Sequence, residues 1–189
     1  MIIASQLRKE NIAQYLLYMW QIEDLIRANG LDLDRIAANV IDRYTLTDEQ
    51  RKQMTEWYES LIDMMRREDV AEKGHLQINR NTIGELADLH RRLMADPRPR
   101  FDDYHKEFLH TLPFIVELRA KAGEDRAGEI ETCFNALYGM LMLRLAKKPV
   151  SEETAKAFEQ ISAFVALLSH YYTLDETEDI FKDDEQDKK

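Results

Sequence analysis

Glu107 and His110 stand three residues apart, and Glu72 and His75 repeat that spacing. A Glu-x-x-His pair on a helix puts a carboxylate and an imidazole on one face. Helical bundles that hold two metal ions combine two such pairs with two further inward glutamates. Here Gly74 sets the second pair in a connection, so the constellation is half present and no metal or cofactor is expected. His105 and His110 are five apart, off a common face. For nucleophilic catalysis, no G-x-S-x-G elbow occurs, and Cys133 has no basic neighbour in sequence to lower its pKa. Phosphate cradles of the G-x-x-x-x-G-K or G-x-G-x-x-G kind are missing too. No complete catalytic set is present, and the reading leans away from an enzyme.

Arg100 and His105 have the R-x4-H spacing of some helical ribonuclease bundles. Phe101 follows the arginine where those bundles favour a polar residue, and Pro99 sets the pair at a helix start, so coincidence is the preferred reading. Polar residues embedded in apolar text are more informative. Glu23 and Arg27 sit among Trp20, Ile22, Leu25 and Ile26; Glu117 and Arg119 adjoin Ile115, Val116 and Leu118; Asn135 and Arg144 interrupt the most apolar run. A buried charge left without a partner costs about 3–5 kcal/mol, so these groups are expected to neutralise one another across helices. Arg144 has no acid within a turn, and Glu23, Asp24 or Glu117 is its expected partner. With His75 and Asn79 from the block Gly74 to Asn79, the set Glu23, Arg27, His75, Asn79, Glu117, Arg119, Asn135 and Arg144 reads as a structural network. The sharper alternative is a pocket for a small molecule or anion.

The elements that must position these groups are helical. Only six Gly and four Pro occur in 189 residues, and apolar residues recur at three and four rather than at alternate positions. Expected helices run from Arg8 to Arg27, Asp34 to Tyr44, through Met54 to Met65 after the capping box at Thr47 to Gln50, and through Ile83 to Leu93 after a second box at Thr82 and Glu85. Further helices are expected from Phe101 to Arg119, kinked or divided at Pro113, from Ile130 to Leu145, and from Ser151 onward. The Ile130–Leu145 run would span about 24 Å and is interrupted by polar residues, so it reads as a central bundle helix and not a bilayer span. The expected fold is all-α, an irregular bundle of about six or seven helices in one domain over residues 1–173.

Residues 174–189 carry eight acids and three lysines and are expected to form an acidic, disordered tail. Opposite it in charge is the segment His90 to Arg100, with Arg91, Arg92, Arg98 and Arg100 against Asp96. This reads as a solvated loop; the alternatives are that the acidic tail folds back on it or that it docks an anion, RNA or an acidic partner. With 26 basic and 36 acidic residues the net charge is −10, which disfavours nucleic acid and anionic membranes. One cysteine excludes a disulfide framework within the chain, and the expected location is the cytoplasm.

The strings ENIAQYLLYMWQIEDLIR (residues 10–27), KGHLQIN (73–79), LPFIVELR (112–119) and EIETCFNALYGMLMLRL (129–145) resemble a bacterial family of about this length, domain of unknown function 4924. The likeness covers Lys9 to about Tyr172. It implies a compact cytoplasmic helical protein and carries no activity, cofactor or functional residue. The expected function is therefore a non-catalytic interaction or regulatory protein that meets a protein partner or a second copy, with the ligand-binding pocket as the alternative.

Overall fold

The computed structural model describes residues 2–122, 127–178 and 180–182. Among these the chain forms eight α-helices and no strand, an all-α fold. The helices are α1 (Ile2–Glu10), α2 (Ile12–Ala28), α3 (Leu33–Asn39), α4 (Asp48–Arg67), α5 (Gln77–Ala95), α6 (Asp102–Lys121), α7 (Glu129–Leu145) and α8 (Glu152–Thr177), with short 3-10 turns at Ile41–Arg43 and Pro99–Phe101. By contact the chain divides into two compact units, Met1–Arg8 with Gln14–Gly84 and Lys9–Ala13 with Glu85–Lys189.

In the first unit, α2 buries Leu16, Met19, Trp20, Ile22 and Ile26, and α4 buries Met54, Tyr58, Leu61, Ile62 and Met65. The α4 positions fall at the three- and four-residue intervals that put one stripe of a helix inside. Its N-terminus is the capping box expected from the sequence: Gln50 N–H donates to the Thr47 hydroxyl at 3.2 Å, and Thr47 N–H donates to the Gln50 side chain at 3.0 Å. The turn after α2 takes positive φ at Gly30 (69°) and Leu31 (56°), and the Leu31 N–H closes onto the Ile26 carbonyl at 3.0 Å.

In the second unit α6 packs on α7 and α8, and α7 packs on α8. Tyr104, Phe108, Ile115, Cys133, Phe134, Ile161, Phe164 and Leu168 are buried there. Ring centroids of Tyr104 and Phe108 lie 5.6 and 5.5 Å from that of Phe164, within the range of attractive aromatic pairs. Ser151 caps α8 by accepting the Thr154 N–H at 3.2 Å, as its position before two glutamates indicates.

Several boundaries differ from expectation. The run from Arg8 is broken at Asn11, a poor residue for a helix interior, whose side chain accepts the Ser169 hydroxyl at 3.1 Å. The added helix α1 raises the number to eight. Thr82 is no cap: it lies inside α5 and its hydroxyl donates to the Ile78 carbonyl one turn back. Pro113 does not divide α6: it and Leu109, the residue whose carbonyl loses its helical donor, are both exposed. The run Ile130 to Leu145 is not enclosed all round; Leu137, Leu141 and Met142 are half-buried and Leu145 is 64% exposed. The acidic tail starts later than Leu174, since α8 continues to Thr177 and Phe181 rests on Phe101, with centroids 5.5 Å apart. The rest of that expectation, at residues 179 and 183–189, lies outside the described residues.

Candidate functional site

Glu23 is a charged residue on the most buried side of α2, with no exposure to solvent. Its Oε1 accepts the backbone N–H of Leu76 at 2.9 Å and the Asn79 side-chain amide at 2.7 Å, and its Oε2 lies 2.6 Å from His75 Nδ1. A carboxylate only accepts, so the imidazole proton sits on Nδ1. The His75 ring lies on Trp20, 4.0 Å between centroids and 13° from parallel. Each bond sits where α5 begins. The first N–H groups of a helix have no partner within it, and the helix dipole favours negative charge there. Glu23 therefore caps α5 from another helix, and Glu68 adds a second cap by accepting the Gln77 N–H at 2.5 Å.

Arg27 stands one turn further along α2 and binds the connection that leads to His75. It donates to the Val70 carbonyl at 3.0 Å, to the Gly74 carbonyl and to Asp24 at 2.8 Å. Gly74 takes φ of 87°, a conformation open to glycine at little cost, and this turns its carbonyl toward the guanidinium. Two buried atoms in the cluster have no hydrogen-bond partner among the described residues: Asn79 Oδ1 and Arg27 Nε.

Four of the eight sequence candidates thus come together: Glu23, Arg27, His75 and Asn79. The other four do not join them. Glu117 is exposed and accepts from Lys121 at 2.6 Å within α6. Arg119 is half-buried, with its Nε unpartnered among the described residues. Asn135 and Arg144 are exposed, so neither needs a buried counter-charge, and the acids expected for Arg144 are engaged elsewhere. A helix only partly enclosed has room for polar residues on its wet side.

The second unit holds a buried polar group outside the eight sequence candidates. His90 is 5% exposed; its Nδ1 lies 2.8 Å from the Tyr104 hydroxyl and its Nε2 3.5 Å from Glu129. The ring is walled by Phe108 at 4.6 Å. Burial holds the His90 pKa below the ordinary histidine value against the opposing pull of Glu129. Nearby Cys133 is fully buried, and burial followed by the charge of Glu129 pushes its thiol up to about 12. A thiol so placed supplies no thiolate at neutral pH, so histidine, acid and cysteine in one core do not make a nucleophile. His90 follows the Leu86, Leu89, Leu93 stripe, which was the available signal that it points inward.

The other sequence pairs are also occupied. His105 Nε2 donates to the Leu93 carbonyl at 2.8 Å while Arg100 donates to the Lys182 carbonyl at 3.0 Å, so the R-x4-H pair serves two separate contacts. Glu107 accepts from Gln160 at 2.7 Å, and His110 is exposed. No group of three or more His, Cys, Asp or Glu among the described residues is arranged to hold a metal ion. No helix described is long and apolar enough to cross a membrane. In the first unit a pocket of about 360 Å³ opens beside Gly30, Asp32, Glu59, Asp63 and Arg66; its lining includes none of Glu23, Arg27, His75 and Asn79.

The chain belongs to the family described as Domain of unknown function (DUF4924), whose family model matches residues 1–179. No curated protein and no solved structure matches it.

Proposed function

We propose that this member of the family is a non-catalytic helical protein that acts by contact, and that α6 is the contact surface for a second copy of the chain. One observation carries the reading: Leu109 and Val116, large apolar residues seven apart, are 59% and 56% exposed on the same side of α6. At 100° per residue they lie within about 20° of one line, with Pro113 and Ala120 beside them, both exposed. An exposed apolar row of this kind marks an interaction surface.

Self-pairing follows from the symmetry of the row. Turned antiparallel about the Leu112–Pro113 region, a second α6 sets its Val116 against Leu109 and its Leu109 against Val116, the isologous pattern of a two-fold dimer. Lys106 and Glu117, both exposed, are eleven residues apart on the adjoining line. Antiparallel apposition brings Lys106 of each copy toward Glu117 of the other, whereas a parallel pair sets like charges together. Burying each Leu or Val contributes about 1.5–3 kcal/mol. Four such side chains stand against an association cost of about 4–15 kcal/mol, so the dimer is weak and concentration-dependent. The cytoplasm suits a chain whose single cysteine is kept as a buried thiol.

Sedimentation equilibrium over a wide concentration range tests this proposal. The wild-type chain should show a monomer–dimer equilibrium that Leu109→Glu with Val116→Glu abolishes at unchanged helicity. A strict monomer, or a dimer indifferent to the two changes, contradicts it.

A second reading, a small polar ligand bound beside Glu23, is supported by the unpartnered Asn79 Oδ1 and Arg27 Nε. A ligand present at a hundred times its dissociation constant raises stability by about 2.7 kcal/mol. A thermal-shift screen of metabolites on wild type and Asn79→Ala decides this: a shift seen only in the wild type supports it, and no shift removes it.

A further inference from the structure

Phe181 does not float off the end of α8. Its ring lies 3.9 Å from the Arg92 guanidinium carbon, in the geometry of a cation–π contact, and packs on Phe101 from the other direction. Phe101 itself is 1% exposed and forms a fixed floor. Two more arginines hold the backbone of the same short segment. Arg98 donates to the Phe181 carbonyl at 3.1 Å and the Lys182 carbonyl at 3.3 Å, and Arg100 donates to the Lys182 carbonyl at 3.0 Å. We propose that Arg92, Arg98, Arg100 and Phe101 form a peptide-binding cradle, filled in this structure by the chain's own C-terminal segment, whose ligand class is an aromatic residue set in an acidic peptide.

The cradle is organised by residues outside the segment it holds. Asp96 accepts from Arg98 Nε with its two oxygens at 2.8 and 2.9 Å and from the Arg98 backbone N–H at 3.1 Å, which fixes the fork before any ligand arrives. Arg92 is likewise aimed by Asp175 of α8 at 2.7 Å. What the cradle reads from Phe181 and Lys182 is a ring and two backbone carbonyls. Another peptide that presents the same ring and backbone meets the same donors.

Charge narrows the ligand class. Asp96 pairs with Arg98 and Asp175 with Arg92, and the occupant's own sequence, which continues with Asp183, Asp184 and Glu185, gives the acidic character of the peptide that this arginine cluster takes. The tethered segment acts as an internal competitor at an effective concentration on the order of millimolar. A partner peptide must exceed that threshold, so the tail sets the affinity at which the cradle opens.

The test uses the full chain and a fluorescent twelve-residue peptide copying Glu178 to Lys189. The Phe181→Ala chain should bind the peptide at least about tenfold more tightly than wild type, because its internal competitor is weakened. Binding should weaken at high salt, drop at least about tenfold on adding Arg98→Gln, and vanish for a peptide with Ala in place of its Phe. Equal affinity for the two chains, equal affinity for the two peptides, or no binding would overturn the proposal. A second readout is independent of any loss of fold. With 4-fluorophenylalanine at position 181 of the otherwise unchanged chain, excess peptide should move the fluorine resonance to its position in the free peptide. A resonance that stays put under saturating peptide also overturns it.

Discussion

The Glu23 carboxylate accepts the backbone N–H of Leu76 at 2.9 Å across fifty-three residues of sequence. The contact joins the middle of α2 to the start of α5, and His75 and Asn79 complete the shell around the same two oxygens. Glu23→Ala leaves a buried amide and two buried side chains without their acceptor. It should cost about 3–5 kcal/mol of unfolding free energy in urea, and Glu23→Gln about 1–3 kcal/mol. A loss under 1 kcal/mol for the alanine variant would mean that this cap does not hold α5.

That contact also shows what sequence could and could not reveal. Helices α4 and α8 were legible because their caps are local: Thr47 with Gln50 and Ser151 with Thr154 are solved within four residues. The start of α5 was misread, at Thr82 instead of Gln77, because its caps are carboxylates from α2 and from the end of α4, and no local pattern encodes them. The polar candidates on α2 are legible because Glu23 and Arg27 interrupt an apolar run of which Trp20, Ile22 and Ile26 prove buried. Asn135 and Arg144 interrupt an equally apolar text, yet α7 leaves one side open, and composition does not say which helices are covered. His90 was hidden for the converse reason: it continues an apolar stripe while carrying a polar ring.

Cys133 should be silent toward thiol reagents in the folded chain. With its thiol pushed up to about 12 by burial, Ellman's reagent should label it only as fast as the protein unfolds, and fully in denaturant. Rapid stoichiometric labelling of the native chain would show that the α7 core opens to solvent.

His90 should make stability depend on pH in the histidine range. Its pKa is lowered in the folded state, so above about 6.5 the ring is neutral whether the chain is folded or not, and the fold has its full stability. As pH falls below about 6.5 the unfolded chain takes up a proton that the folded chain resists, so stability declines until the lowered pKa is passed. Thermal unfolding between pH 8 and pH 5 should show this decline, and His90→Gln should flatten it. An unchanged slope in the variant would assign the pH dependence to another group.

Two glycines should respond in opposite directions to alanine. Gly74 holds φ of 87° at the turn whose carbonyl Arg27 grips, so Gly74→Ala should cost about 1–2 kcal/mol. Gly84 lies within α5, and an added methyl there would meet nothing within 4 Å, so Gly84→Ala should gain about 0.5–1 kcal/mol. Paired urea melts check both, and a gain at Gly74 would contradict the conformation described for the connection.

The claim that the chain works by pairing through α6 is tested most directly by chemical cross-linking in register. Leu109→Cys and Val116→Cys chains should form a covalent dimer under mild oxidation when mixed, and each alone should form little, because antiparallel apposition sets position 109 against 116 of the other copy. Buried Cys133 contributes no background. A mixture that stays monomeric, or either variant alone cross-linking as fast as the mixture, would contradict the proposed contact.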